Sequence, residues 1–188
     1  MLARLSEGVN VLKRCERSRI VALFKPSLTL SHPNAGQSTR SLLRGCSYDH
    51  EEECYRSPDG EELWLCNRLD KGTSGVVMCS ESKAAAEELK DLFRKREVEK
   101  QYVALCHGRI ENFPKEKTWI DRVVVDRSKE NELRVKKGGS LKTSKKPMGV
   151  VEASTKVKGV KQGYITIAEA DVPILRVELA PHTGITHQ

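Results

Sequence analysis

No cysteine in this sequence belongs to a Cys-x-x-Cys pair, and no histidine stands at zinc-ligand spacing beside one. That excludes the common structural-zinc classes. No apolar run approaches the roughly 18 residues of a membrane-spanning helix. Dinucleotide and phosphate loops are missing, as are internal repeats, and the only biased segment is one lysine-rich stretch. With no metal framework to serve, Cys15, Cys46, Cys54, Cys66, Cys79 and Cys106 read as reduced thiols. Cys66 and Cys79 lie inside apolar runs, where a thiol behaves as a small hydrophobe. The expectation is an intracellular, reducing compartment, whether cytoplasm, nucleus or mitochondrion. The basic N-terminal segment (Arg4, Lys13, Arg14, Arg17, Arg19) is interrupted by Glu7 and Glu16, which makes a poor presequence.

What is present fits one domain: 188 residues, enough to bury a sizeable core. A short N-terminal extension, 1–19, precedes the expected domain at 20–188. With 33 basic against 26 acidic side chains the formal charge is +7, a moderate attraction for a polyanion.

The chain is organised around residues 62–79. The apolar runs Leu63-Trp64-Leu65-Cys66 and Val76-Val77-Met78-Cys79 flank a polar turn, Asn67-Arg68-Leu69-Asp70-Lys71-Gly72-Thr73-Ser74-Gly75. Strand alternation would put Arg68 and Asp70 on one face and turn Leu69 to the core. The two neighbouring cations favour the anionic carboxylate. Gly72 and Gly75 permit positive φ, and Thr73 and Ser74 can brace the turn. One reading is an ordinary hairpin with a surface ion pair. The other is a single nucleophilic carboxylate held still at a strand end.

Elsewhere, Ile20–Phe24 and Leu28–Ser31 read as short strands, with Lys25 and His32 as solvated loop residues. Residues 36–62 predict one helical turn near Ser41-Leu42-Leu43 and then an acidic surface loop. Ser82 caps a helix through Arg94 whose Ala85, Leu89, Leu92 and Phe93 face the core. Residues 96–105 predict a strand, as do Val150–Thr155, Tyr164–Ile167 and Ile174–Leu179, separated by Gly or Pro. Between them the segment 134–146 gathers Arg134, Lys136, Lys137, Lys142, Lys145 and Lys146. It reads either as a solvated loop or as an arm that contacts phosphates.

A signature and three further motifs carry a resemblance. Arg68-Leu69-Asp70-Lys71-Gly72-Thr73-Ser74-Gly75 resembles the signature of the RluA-type pseudouridine synthases, with Asn67 where that family usually has His. Lys25-Pro26 followed by His32-Pro33 resembles the family's first motif, with Leu28 in place of its Gly. Phe93…Lys100-x-Tyr102-x-Ala104 resembles the second, and Trp119-Ile120-Asp121 the start of the following strand. Thr183-Gly184-Ile185-Thr186-His187-Gln188 resembles the third, Ile185 replacing an Arg, and the sequence stops before a second Arg that in the family pairs with the catalytic Asp.

The resemblance implies an α+β fold with a mixed, largely antiparallel sheet, flanking helices and a central catalytic cleft, C-terminally incomplete here. It also implies cofactor-free, metal-free isomerisation of a uridine in structured RNA. Asp70 would be the nucleophile, Arg68 its orienting partner and Tyr102 the aromatic against the base. Lys71, Lys95, Arg96, Lys100, Lys136, Lys137 and His187 would contact RNA, ribosomal or transfer rather than messenger. The alternative is an RNA-binding remnant of the same fold that has lost catalysis.

Overall fold

The computed structural model describes residues 1–34, 40–115, 117–125 and 149–184, with the backbone alone for 122–125 and 149–151. These residues form two units, Met1–Glu97 and Val98–Gln188.

In the first unit, β1 (Asn10–Cys15), β2 (Ile20–Lys25), β3 (Ser47–Asp49), β4 (Cys54–Arg56), β5 (Glu62–Leu65) and β6 (Gly75–Ser80) form one sheet, ordered β1-β2-β6-β5-β4-β3. Every strand pairing is antiparallel. Strand β2 lies between two neighbours, and its alternation buries Val21, Leu23 and Lys25 on one face. That face meets Leu42, Leu43, Tyr55, Leu63, Leu65, Val77 and Cys79 in the main core. Each fully buried aliphatic side chain there contributes about 1.5–3 kcal/mol. The stretch expected to be an N-terminal extension supplies a 3₁₀ turn, Leu2–Arg4, and the edge strand β1, and Met1 is buried in the same core.

A second cluster forms where α1 (Lys83–Arg94) lays Ala86, Leu89 and Phe93 against Cys54, Trp64, Cys66 and Met78. The helix falls where its periodicity predicts, but its inner face is rotated: Ala86 is buried and Leu92 is exposed. It closes with Arg96 at φ +61, the Arg96 N–H donating to Phe93 O (3.1 Å) and the Glu97 N–H to Leu92 O (2.9 Å). This is a Schellman closure with arginine at the position glycine usually takes.

Three local expectations fail in this unit. Residues 28–31 are not a strand, because the chain turns at Ser27-Leu28 to meet another loop. Ser41–Leu43 is not helical: Leu30↔Ser41 and Leu5↔Leu43 form isolated bridges there, and Leu42 and Leu43 are drawn into the core. The acidic segment is not all loop. It holds β3 and β4, where Tyr48, Cys54 and Tyr55 supply the apolar contacts and Arg56 neutralises Asp49 (2.7 Å) and Glu62 (3.0 Å).

The second unit is a four-stranded antiparallel sheet, β7 (Tyr102–His107), β8 (Thr118–Val125), β9 (Gly149–Ile167) and β10 (Ala170–Pro181), ordered β7-β10-β9-β8. Strand β7 starts later than expected, and two predicted strands fuse into β9. Its glycines lie inside a continuous strand rather than breaking it, Gly159 opposite Glu178 and Gly163 opposite Ile174. The ladder slips beside Gly159, where Glu178 pairs Gly159 and Leu179 pairs Val157, so Lys158 is the extra residue of a bulge. Among the described residues the architecture is α+β, two antiparallel sheets and one α-helix. No helix in them is long and apolar enough to cross a membrane.

Candidate active site

The Asp70 turn leaves the sheet earlier than strand alternation suggests. Strand β5 ends at Leu65 and residues 67–70 are irregular. The cause is Asn67, whose Oδ1 accepts the Met78 N–H (2.7 Å) while its Nδ2 donates to Val76 O (3.4 Å). Its side chain thus takes hydrogen bonds that a continuing strand would make. Leu69 still packs against the main core, which leaves Asp70 exposed on the outside of the turn. The Thr73 N–H donates to Asp70 O (3.0 Å), and Gly75 re-enters the sheet at φ +143. Gly72 is not at positive φ.

A second loop, residues 26–31, is stitched to this turn. The Ser31 hydroxyl donates to Leu69 O (2.8 Å) and accepts the Leu69 N–H (3.0 Å). The Leu28 N–H donates to Lys71 O (2.7 Å) and the Ser27 hydroxyl to Gly72 O (2.8 Å). At the junction lies Lys25, fully buried. Its Nζ donates to Thr29 O (2.6 Å), Pro26 O (3.2 Å) and Lys71 O (3.4 Å). Burial lowers its pKa from the usual ammonium value, and the Asp70 carboxylate opposes that shift. A buried cation satisfied by carbonyls therefore joins both loops and projects its field onto the exposed carboxylate.

Arg68 Nη1 donates to His32 Nε2 (3.0 Å), and His32 Nδ1 lies 3.1 Å from Pro33 O. Guanidinium only donates and carbonyl only accepts, so these contacts define a neutral imidazole protonated on Nδ1. The ring stacks on Tyr48 (centroids 5.0 Å apart, 10° between planes) with His50 edge-on at 5.2 Å. Burial lowers the His32 pKa from its usual value.

The sequence profile of the family described as RNA pseudouridylate synthase matches residues 19–188. The chain belongs to that family. It is 29% identical over 186 residues to the mitochondrial pseudouridylate synthase RPUSD4 of Xenopus tropicalis, covering 92% of this chain and 52% of that protein. With tRNA pseudouridine synthase C of Vibrio cholerae it shares 28% identity over 170 residues, 90% of this chain and 63% of that one. The solved structure of human RNA pseudouridylate synthase domain containing 1 matches with a TM-score of 0.58 at 20% identity, over 97% of this chain and 62% of that one. That likeness is one of fold. The chain spans about half the length of curated relatives that it matches, 47% and 52% of two of them.

In this member of the RNA pseudouridylate synthase family, the first unit brings together Arg68, Asp70 and Lys71, all exposed on one turn. Lys95 and Arg96 are exposed at the end of α1. Tyr102 is half-buried on β7 of the second unit, opposite Leu179. Lys100, in that unit too, donates to Thr183 O (2.5 Å). Thr183 is itself docked on β9, its Oγ1 accepting the Ser154 N–H at 2.9 Å. Lys136, Lys137 and His187 lie outside the described residues.

Sequence reasoning missed Lys25 and Ser31 and took His32 for a solvated loop residue. For Lys25 a signal existed: Val21, Leu23 and Lys25 share the period-2 phase of β2, so the lysine falls on the core face. Tyr48 and His50 carried no comparable mark. Their role depends on β3 bringing them beside a loop distant in sequence.

Proposed function

We propose that this chain carries the catalytic core of an RNA pseudouridine synthase, isomerising a uridine of structured RNA with Asp70 as nucleophile. The observation that carries the reading is an exposed carboxylate on a turn immobilised by Ser31 and the buried ammonium of Lys25, in a chain of this family. Pre-set geometry of this kind is what a nucleophile needs, since loss of position by about 1 Å costs about 10²-fold in rate.

The reaction breaks the bond from uracil N1 to sugar C1′ and forms one from C5 to the same carbon. C5 loses a proton and N1 gains one, so the change is an isomerisation with no net redox and needs no oxidant or reductant. Asp70 supplies the attacking oxygen, on sugar or base, and is released at the end. A paired uridine must first leave its helix, at a cost of a few kcal/mol. Phosphate contacts from Lys71, Lys95, Arg96, Lys100 and the 134–146 segment, with Lys136 and Lys137, offset that cost. Tyr102 offers a face for the extruded base, and His187 adds a contact from the third motif. Transfer or ribosomal RNA is the proposed substrate class, in keeping with the Vibrio cholerae relative's name. Six free thiols, three of them buried, fit a reducing compartment.

The test compares wild type with Asp70→Asn on unmodified transfer and ribosomal RNA transcripts, mapping pseudouridine. Wild type should modify a defined position and Asp70→Asn none. Equal modification by both would remove Asp70 from the mechanism. A second reading, RNA binding without catalysis, is favoured by Ile185 standing where the third motif has Arg. Equal RNA affinity of both proteins with no pseudouridine from either would support it.

A further inference from the structure

Residues 31 and 32 engage the Asp70 turn in succession. Ser31 holds Leu69 through its hydroxyl, and the next side chain, His32, accepts the Arg68 guanidinium on Nε2 at 3.0 Å. Both residues are seated on the β3–β4 hairpin, where Tyr48 and Tyr55 stand directly opposite each other with ring centroids 4.8 Å apart. The fully buried Tyr55 donates its hydroxyl to Ser31 O at 2.8 Å, and Tyr48 stacks on the His32 ring. Pro33 disfavours helical backbone angles at His32, and the Pro33 carbonyl at Nδ1 leaves the Nε2 lone pair to Arg68. His32 is thus fixed in ring and tautomer, while Arg68 is exposed and, without a partner, would sample many rotamers. The chemistry of that partner matters. A carboxylate would hold the guanidinium and cancel its charge, whereas a neutral imidazole holds it and leaves the charge intact. The bond takes a single guanidinium N–H, leaving others for an anion beside Asp70.

We propose that His32 is a positioning residue for pseudouridine formation, a neutral acceptor that fixes Arg68 with its charge intact beside the Asp70 turn. The inference rests on the pseudouridine-synthase reading. It also gives the site an acid limit. Protonation of His32 occupies the Nε2 lone pair and sets a second cation against Arg68, so the guanidinium is released. Burial opposes that protonation most; the Pro33 carbonyl favours it, Arg68 and His50 oppose it and Glu53 favours it, with Tyr48 against the face of the ring. Release therefore falls below the ordinary histidine value of 6.5.

The test measures single-turnover pseudouridine formation by the full chain, in excess over a transcript that wild type modifies. His32→Phe keeps a ring on Tyr48 and removes the acceptor, and His32→Gln offers a neutral acceptor that does not titrate. Near neutral pH His32→Phe should lose about tenfold in rate, and His32→Gln should recover most of that loss. In an Arg68→Ala background His32→Phe should cost less than about twofold, since no guanidinium is left to place. Between about pH 7 and 5.5 the wild-type rate should fall more steeply than that of His32→Gln. An equal cost of His32→Phe in both backgrounds would make His32 structural and overturn the proposal, as would parallel pH profiles of wild type and His32→Gln. If His32→Phe does not fold, or Arg68→Ala is too slow to follow, the pH comparison needs neither variant and decides alone. No pseudouridine from wild type sinks the synthase reading and the role of His32 with it. An active wild type with unaffected His32 variants overturns the role of His32 alone.

Discussion

Replacing Lys25 with methionine keeps the side-chain length and removes the ammonium at the junction of the two loops. The lysine Nζ serves Thr29 O at 2.6 Å, Pro26 O at 3.2 Å and Lys71 O at 3.4 Å. The shortest of these is a charge-assisted bond of the kind that contributes about 1.5–3 kcal/mol, and a carbonyl left buried without a partner costs about 1–3 kcal/mol. Against this, a buried ammonium carries a desolvation penalty of several kcal/mol that methionine does not incur. The opposing terms leave a net loss of about 1–3 kcal/mol, tolerable for a domain of this size. Activity should suffer more: Lys71 loses an anchor and Asp70 a nearby cation, a displacement worth about 10²-fold in kcat/KM. The pH dependence adds a second readout. Burial sets the folded-state pKa of Lys25 below 10.5, so the unfolded chain binds the proton more readily, and stability rises as pH climbs toward that value. Urea unfolding of both proteins at neutral and alkaline pH, with pseudouridine formation at neutral pH, reads all three effects. Wild-type activity in Lys25→Met, or a stability gap between the proteins that does not widen with pH, would refute the reasoning.

His32→Gln keeps an acceptor for Arg68 without a titrating ring. The folded-state pKa of His32 lies below 6.5, through burial first and then the charges of Arg68 and His50; the Pro33 carbonyl and Glu53 oppose the shift, and Tyr48 stacks on the ring. The unfolded chain therefore takes the proton first, and stability is lost as pH falls through that range. Urea midpoints between about pH 7 and 5 should decline more steeply for wild type than for the variant; equal slopes would remove His32 as the cause. Arg96→Gly relieves the left-handed closure of α1 and should raise stability by about 1 kcal/mol. If Arg96 also contacts phosphate, the salt dependence of RNA binding should weaken by about one counterion, read as the slope of log affinity against log salt.

Helix α1 was legible because apolar residues recur at helical spacing and Ser82 and Arg94 bound them. The rotation of its inner face to Ala86 was not, since the side that packs depends on where Trp64 and Met78 lie. Strands β3 and β4 were hidden by acidic neighbours that Arg56 neutralises only once the strands pair. The length of β9 was hidden by Gly159 and Gly163, which read as breaks in sequence but pair with Glu178 and Ile174 in an unbroken strand.

By itself the sequence determined the family and the turn that carries Asp70, because the eight residues from Arg68 to Gly75 are contiguous and their order survives without any knowledge of the fold. It also determined, through apolar runs, strands β2, β5 and β6 beside the first core and, through helical patterning, the helix α1 of the second cluster. Only the tertiary structure decided what holds that turn in place. Lys25 reaches Lys71 across 46 positions, Ser31 reaches Leu69 across 38 and Arg68 reaches His32 across 36. Hydrogen bonds act over about 3 Å, so such partners are selected by the approach of two loops in space, and separation along the chain carries no trace of them.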